Sequence, residues 1–235
     1  MLKPGQTAIV TGAGSGIGRA IACALAARGL VVTLVGREEA KLHAAARDAG
    51  PAARVLAADV TAERGRGSIA EAAGEALGVL VHSAGTYERG GLIDFDPAAL
   101  RRMLDVNLEA PLRLSAACLA PLRQARGQVV FINSSAALPP GRMGMLGYAA
   151  SKAALRAAAD AVRAELNAHG VRVLSVFPGR TDTPMQAAIL AAEGRSAARG
   201  ALLAPEDVAA MVLAALTLPT TAEVTEIMAR PMRPL

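Results

Sequence analysis

Tyr148 and Lys152 stand four residues apart in the stretch LGYAASKAAL, residues 146–155. On a helix, positions i and i+4 share a face. Tyrosine is scarce in this chain: there are two in 235 residues, and no tryptophan. A tyrosine hydroxyl beside an ammonium group suits proton transfer to or from a carbonyl or alcohol oxygen. Free tyrosine titrates near ~10, so bringing it to neutrality takes about three units, or ~4 kcal/mol. A unit cation at ~4 Å in an effective dielectric of ~20 supplies about that much. The pair is therefore expected to work with Lys152 lowering the tyrosine.

A second chemical feature lies near the start. The segment TAIV runs into TGAGSGIG, residues 11–18, and then into an apolar helical pattern. Strand, glycine turn and helix in that order form a pyrophosphate cradle. Glycines let the backbone approach, and the helix N-terminus offers free N–H groups and a positive dipole. The spacing is G-x-x-x-G-x-G, through Gly12, Gly16 and Gly18. The second strand ends in VTLVGREE, with Arg37 just after Gly36. An acidic residue there suits NAD, whereas arginine suits the 2′-phosphate of NADP. NADP(H) is expected over NAD(H), with Glu38 and Glu39 read as first-turn helix acids. VLAADV, residues 55–60, closes the third strand and offers Asp59 to the adenine.

These groups need a scaffold. Short apolar runs at Ala8–Val10, Val31–Val35, Val55–Ala58, Val79–Val81, Val129–Asn133, Val171–Val176 and Glu223–Ile227 read as strands. Most lack strict alternation, as parallel strands buried on both faces do. Helical patterns separate them at Ile17–Arg28, Glu38–Ala49, Gly67–Leu77, Pro97–Arg126, Tyr148–His169 and Pro205–Leu216. Alternation of this kind predicts an α/β fold, a Rossmann-type doubly wound parallel sheet of seven strands with helices on both faces. One domain spans 1–235, and Ser135–Gly147 and Pro184–Ala204 are read as functional loops, the second as a substrate loop.

Composition excludes several classes. Hydrophobic residues make up 53%, enough for a large core and against disorder. The net charge is +5, but the basic residues are scattered and stacking aromatics are nearly absent, so nucleic-acid binding is not expected. The apolar run Val208–Leu218 is too short to span a bilayer, and the N-terminus has no signal-peptide pattern. A cytoplasmic location without membrane attachment is expected. Cys23 and Cys118 read as reduced thiols, and neither has metal-ligand spacing to another Cys or His, so no metal is expected.

Taken together, the motifs resemble the short-chain dehydrogenase/reductase family. TGAGSGIG stands at 11–18, HSAG at 82–85, DVN ending at Asn107, INSS at 132–135, YAASK at 148–152 and PG at 178–179. They follow the family's order over nearly the whole chain. The resemblance implies a tetrad of Asn107, Ser135, Tyr148 and Lys152. Ser135 is preferred to Ser134 because the family serine lies thirteen positions before the tyrosine. It implies cofactor contacts from Gly12, Ser15, Gly16, Ile17, Gly18, Arg37, Asp59, Val60, Ala84, Gly85, Pro178, Gly179, Thr181 and Thr183, besides Asn107, Tyr148 and Lys152. His82 and Ser83 replace two asparagines, and His82 is read as a structural histidine that braces neighbouring strands.

The implied activity is hydride exchange between NADP(H) and a small-molecule carbonyl/alcohol pair. The implied assembly is a homotetramer or dimer, packed through the 97–126 and 148–169 helices. Leu138, Met143, Met145 and Met185 are expected to give the substrate site an apolar lining, with Ile189 and Leu190 behind them and Glu88 and Arg142 as polar candidates. Rival readings are an NAD-dependent relative, a non-catalytic NADP sensor, a serine hydrolase and a zinc alcohol dehydrogenase. No G-x-S-x-G elbow supports the hydrolase and no ligand set supports zinc.

Overall fold

The computed structural model describes residues 2–141, 143–198 and 200–232. Seven parallel strands form one sheet in the order β3-β2-β1-β4-β5-β6-β7. They are β1 Thr7–Thr11, β2 Val31–Gly36, β3 Ala53–Ala57, β4 Val79–His82, β5 Gln128–Ile132, β6 Arg172–Pro178 and β7 Glu226–Ala229. Their near-continuous apolar character has the expected cause. Ala8 and Val10 of β1 pack into the core on one face of the sheet, while Ile9 between them packs into the other. Val130 and Ile132 divide from Val129 and Phe131 in the same way. Both faces are covered, so both sets of side chains must be apolar.

Helices α1 Gly16–Ala27, α2 Glu39–Ala49 and α9 Pro205–Thr217 lie on the first face. Helices α3 Glu63–Ala72, α5 Ala110–Ala117, α6 Leu119–Ala125 and α7 Leu146–Leu166 lie on the second. Gly170, at φ 73°, takes the left-handed cap after α7 and its short 3₁₀ extension and turns the chain into β6.

The single helix expected over 97–126 is broken. It consists of α4 Pro97–Leu104, a π-helical turn Asp105–Glu109, then α5 and α6. Prolines explain the breaks. Pro111 and Pro121 carry no N–H, so the carbonyls four residues back cannot be served in the ordinary α register. For Pro111 that carbonyl belongs to Asn107. The region expected as loop from 184 onward begins with a helix, α8 Pro184–Ala192. Thr183 caps it, its Oγ1 accepting from Gln186 N at 3.1 Å. Threonine before Pro at the first helical position is an N-terminal signal that a loop reading passes over.

Strand order reverses between β1 and its neighbours β2 and β4. At such a switch point the carboxyl ends of the strands leave a crevice. The turns after β1 and β4 both open into it.

Candidate active site

The glycine turn is locked to the chain after β4. Thr11 Oγ1 accepts from Ser83 N at 3.1 Å and Ala84 N at 3.2 Å. Gly12 has φ 67°, and a Cβ there would lie 2.7 Å from Ala84 N. Gly16 has φ 51°, and its Cβ would lie 2.8 Å from the Thr183 methyl. The turn thus forms the floor of a cleft of about 540 Å³. The cleft runs from Arg37, Lys41 and Asp59 past Ser15, Gly16 and Ile17 to Ala84, Gly85, Tyr148 and Lys152. Val60 and Thr183 also line it.

At the far end Arg37 is exposed. Lys41, which the sequence reading did not single out, joins it from the first turn of α2. The Lys41 Cβ lies 3.1 Å from where a Gly14 Cβ would sit. Its ammonium is 2.7 Å from Glu38 Oε1. The acidic neighbour is thus occupied by a lysine of its own segment. Asp59 Oδ1 accepts from Thr61 N at 2.8 Å and Thr61 Oγ1 at 2.7 Å, and these bonds hold its carboxyl below the usual range.

At the near end the π turn presents Asn107, which is fully buried. Its Nδ2 donates to Thr86 O at 2.9 Å and Ser151 Oγ at 3.0 Å, while its Oδ1 accepts from Thr86 N at 2.9 Å. Ser151 in turn donates to Tyr148 O at 2.8 Å. Ser151 lies in YAASK between the tyrosine and the lysine, and its bracing part was not read from sequence. Lys152 is buried and donates from Nζ to Ile132 O at 2.9 Å. Burial pushes its pKa down to about 8.

Tyr148 is 9% exposed, with Tyr87 edge-on to its ring at 5.4 Å between centroids. Burial raises its hydroxyl above the ordinary tyrosine value, and a hydrogen bond with the Ser134 side chain opposes that rise. The expected lowering by Lys152 is not what this arrangement gives. Nζ stands 6.0 Å from the ring centroid, and desolvation outweighs every other influence on the hydroxyl.

The Ser134 side chain hydrogen-bonds Tyr148, and Ser134 and Ser135 both line the chamber beside it. Counting back thirteen positions points to Ser135, which opens the 3₁₀ turn Ser135–Ala137 that Ser134 caps. The strand end places both serines. β5 ends at Ile132, Asn133 continues its pairing through N to Val176 O at 2.8 Å, and Ser134 follows in extended conformation.

A smaller chamber of about 90 Å³ lies beside the cleft, and Tyr148, Asn133, Ile17, Thr183 and Met185 line both. Ser134, Ser135, Ala136, Met145, Pro178, Gly179, Arg180, Thr181, Gln186 and Ile189 complete its wall. Met145 and Met185 therefore stand where an apolar lining was expected. Leu138 is not part of either wall, Met143 is fully exposed to solvent, and Arg142 lies outside the described residues. Thr181 is buried, its hydroxyl donating to Gly179 O at 3.1 Å. Glu88 borders the cleft but is held by Arg102 at 2.6 and 2.8 Å.

His82 stacks on Phe131 of β5 at 5.0 Å, and its Nε2 is 2.8 Å from Ser115 Oγ of α5. Complete burial pushes its pKa down to about 3, which keeps the ring neutral. It ties β4 to β5 and to α5 and does not face the cleft.

The model of the family described as short chain dehydrogenase matches residues 6–194. The chain belongs to that family. An uncharacterized oxidoreductase of Staphylococcus epidermidis is 33% identical to it over 97% of both chains. An alcohol dehydrogenase of the archaeon Thermococcus sibiricus, complexed with 5-hydroxy-NADP, superposes with a TM-score of 0.85 at 26% identity, covering 98% of this chain and 99% of that one. A metagenomic short-chain oxidoreductase in complex with NADP superposes at 0.82 with 30% identity, over 98% and 99% of the two chains. Among the described residues no helix is long and apolar enough to cross a membrane.

Proposed function

We propose that this short-chain dehydrogenase reduces a small carbonyl compound, or oxidises the matching alcohol, with NADP(H) and with Tyr148 as acid and base. One observation carries the reading: Tyr148 stands in the wall shared by the glycine-floored cleft and the chamber that Ser134 and Ser135 line. A hydride donor in the cleft and a carbonyl in the chamber would meet at its hydroxyl.

The residues present fit a nicotinamide dinucleotide. Only glycine lets the turn pack this closely, since a Cβ at Gly12 would strike the Ala84 backbone and one at Gly16 the Thr183 methyl, and the turn and the N-terminus of α1 line the cleft. When bound, the cofactor supplies or accepts the hydride and, oxidised, carries a positive ring charge. Ser134 would donate to the substrate oxygen and stabilise charge developing there. Tyr148 Oη would give its proton to the carbonyl oxygen as negative charge develops there, and would take it back when the alcohol is oxidised. The raised Tyr148 value keeps that proton in place for reduction through neutral pH. Lys152, fixed on Ile132 O, would bring its charge and donors to the nicotinamide end. Asn107 would hold Thr86 and the start of α7 in register.

Arg37 and Lys41 at the adenosine end support NADP(H). The rival NAD(H) reading has one observation in its favour: Glu38 pairs with Lys41 and offsets its charge. Fluorescence titration with NADPH and NADH separates the two. Tyr148→Phe tests the reaction itself. Turnover should be abolished while NADPH still binds, and retained turnover would remove Tyr148 from the mechanism.

A further inference from the structure

The two tyrosines of this chain touch each other. Their ring centroids are 5.4 Å apart and their planes stand at 80°. That is the favourable edge-to-face arrangement of aromatic rings. Among the described residues, the cluster around Tyr148 also holds Met103, Met145 and Met185. Methionine adapts its shape, so it fills space without fixing an orientation. Tyr87 is the other ring in that cluster, and a rigid, flat neighbour locks a side chain in a way that methionine does not.

The backbone around Tyr87 is held on both sides. Before it, Thr86 is clamped by Asn107 through two bonds of 2.9 Å, one to its N–H and one to its carbonyl. After it, Gly90 N donates to Gly144 O and Leu146 N donates to Gly90 O, each at 3.1 Å. Arg89 Nη1 donates to Ala192 O at the end of α8 at 2.5 Å. Residues 86–90 are therefore strung between the π turn and the start of the helix that carries Tyr148. Burial raises the Tyr87 hydroxyl above the ordinary tyrosine value and outweighs the nearby charges of Arg89, Glu193 and Arg180. The phenol is thus neutral near pH 7 and acts on Tyr148 as a ring, not as a charge.

Resting on Tyr148 as acid and base, we infer that Tyr87 is a positioning residue: its ring fixes the ring of Tyr148 so that the hydroxyl stays at the border of cleft and chamber. The Asn107 clamp on Thr86 holds Tyr87 in turn.

Tyr87→Phe keeps the ring, and Tyr87→Leu keeps apolar bulk without a flat face. In both variants Tyr148 is the one tyrosine left in a chain without tryptophan. The tyrosine band in near-ultraviolet circular dichroism of the cofactor-free protein then reports on Tyr148 alone. It should be strong in Tyr87→Phe and weak in Tyr87→Leu. Turnover is measured with NADPH on whichever of cyclohexanone, acetophenone and benzaldehyde the unmodified enzyme reduces fastest. Tyr87→Leu should lower kcat about tenfold with KM little changed, and Tyr87→Phe should stay close to the unmodified enzyme. Tyr87→Met takes the place of the leucine variant if that does not fold. Equal tyrosine bands, or equal kcat, in the phenylalanine and leucine variants would overturn the inference. Unequal bands together with full turnover by Tyr148→Phe would uphold the hold of one ring on the other and reject Tyr148 as acid and base.

Discussion

Lys152 of α7 reaches across to β5 and donates from Nζ to the carbonyl of Ile132 at 2.9 Å. Two residues beyond that carbonyl comes Ser134, and one helical turn before Lys152 comes Tyr148. A single hydrogen bond therefore couples the spacing of the helix to the end of the strand, and with it the distance between the two hydroxyls.

The buried lysine has a measurable consequence for stability. Burial lowers its pKa from 10.5 to about 8. Between those values the unfolded chain still holds a proton that the native protein has released, so stability rises with pH across that window. Below pH 8 both states are protonated and the cost of the buried charge is fully present. Compared with Lys152→Met by denaturant unfolding, the unmodified protein should gain roughly 3 kcal/mol between pH 8 and 10.5, at about 1.36 per unit. The Met variant leaves Ile132 O unpaired, so the pH dependence of the difference, and not its absolute size, is diagnostic. A flat difference would mean Lys152 is not desolvated.

The two adjacent serines should behave differently. Ser134 bears on Tyr148, while Ser135 begins the turn that Ser134 caps. Ser134→Ala should lower kcat/KM by about 10²-fold, the usual scale for a lost donor to a developing oxyanion. It should also raise the Tyr148 pKa further, visible as a shift of the pH profile for alcohol oxidation to higher pH. Ser135→Ala should change kcat/KM by only a few-fold. The reverse pattern would restore the thirteen-residue spacing as the better guide.

That contrast shows which features were legible in sequence. A parallel sheet of seven strands was legible in apolar runs such as Val31–Val35 and Val129–Asn133, because strands buried on both faces need apolar side chains on both, whereas the strand order was not read. The glycine turn was legible because Gly12 and Gly16 adopt φ values of 67° and 51° that other residues resist. The cap that Ser134 gives the 3₁₀ turn was not legible, because it depends on where β5 ends and not on the spacing from Tyr148. The π turn at Asn107 and helix α8 were missed for a related reason. Pro111 and the Thr183-Pro184 pair act on backbone hydrogen bonds, which hydrophobic periodicity does not register. Lys41 lay outside the motif, and only folding of α2 against Gly14 brings it to the cleft.

His82 should make the protein acid-sensitive in a defined window. Burial lowers its pKa from 6.5 to about 3. As pH falls through 6.5 the unfolded chain binds a proton that the native protein refuses, so native stability falls until pH reaches about 3. His82→Asn removes that titration. Thermal unfolding should show the unmodified protein losing stability relative to the variant between pH 6.5 and 4, with little relative change between pH 7 and 8. Equal acid profiles would place the proton elsewhere. At pH 7.5 the variant loses the stacking on Phe131, and its lower stability there is a separate packing effect.

The charges at the adenosine end give the cofactor prediction. Arg37 and Lys41 line the cleft and both are exposed, so each contributes through a screened interaction. Arg37→Ala should weaken NADPH about tenfold and NADH little, because only NADPH carries the 2′-phosphate. Lys41→Ala should do the same to a smaller degree, since Glu38 already holds its ammonium at 2.7 Å. Glu38→Gln is the informative variant, because it frees Lys41 and removes a carboxylate in one step. NADPH should then bind a few-fold more tightly in fluorescence titrations at low salt, with the gain shrinking at 0.5 M salt. If Glu38→Gln instead weakens NADH about tenfold and leaves NADPH unchanged, the carboxylate serves the ribose hydroxyls and the NAD(H) reading prevails.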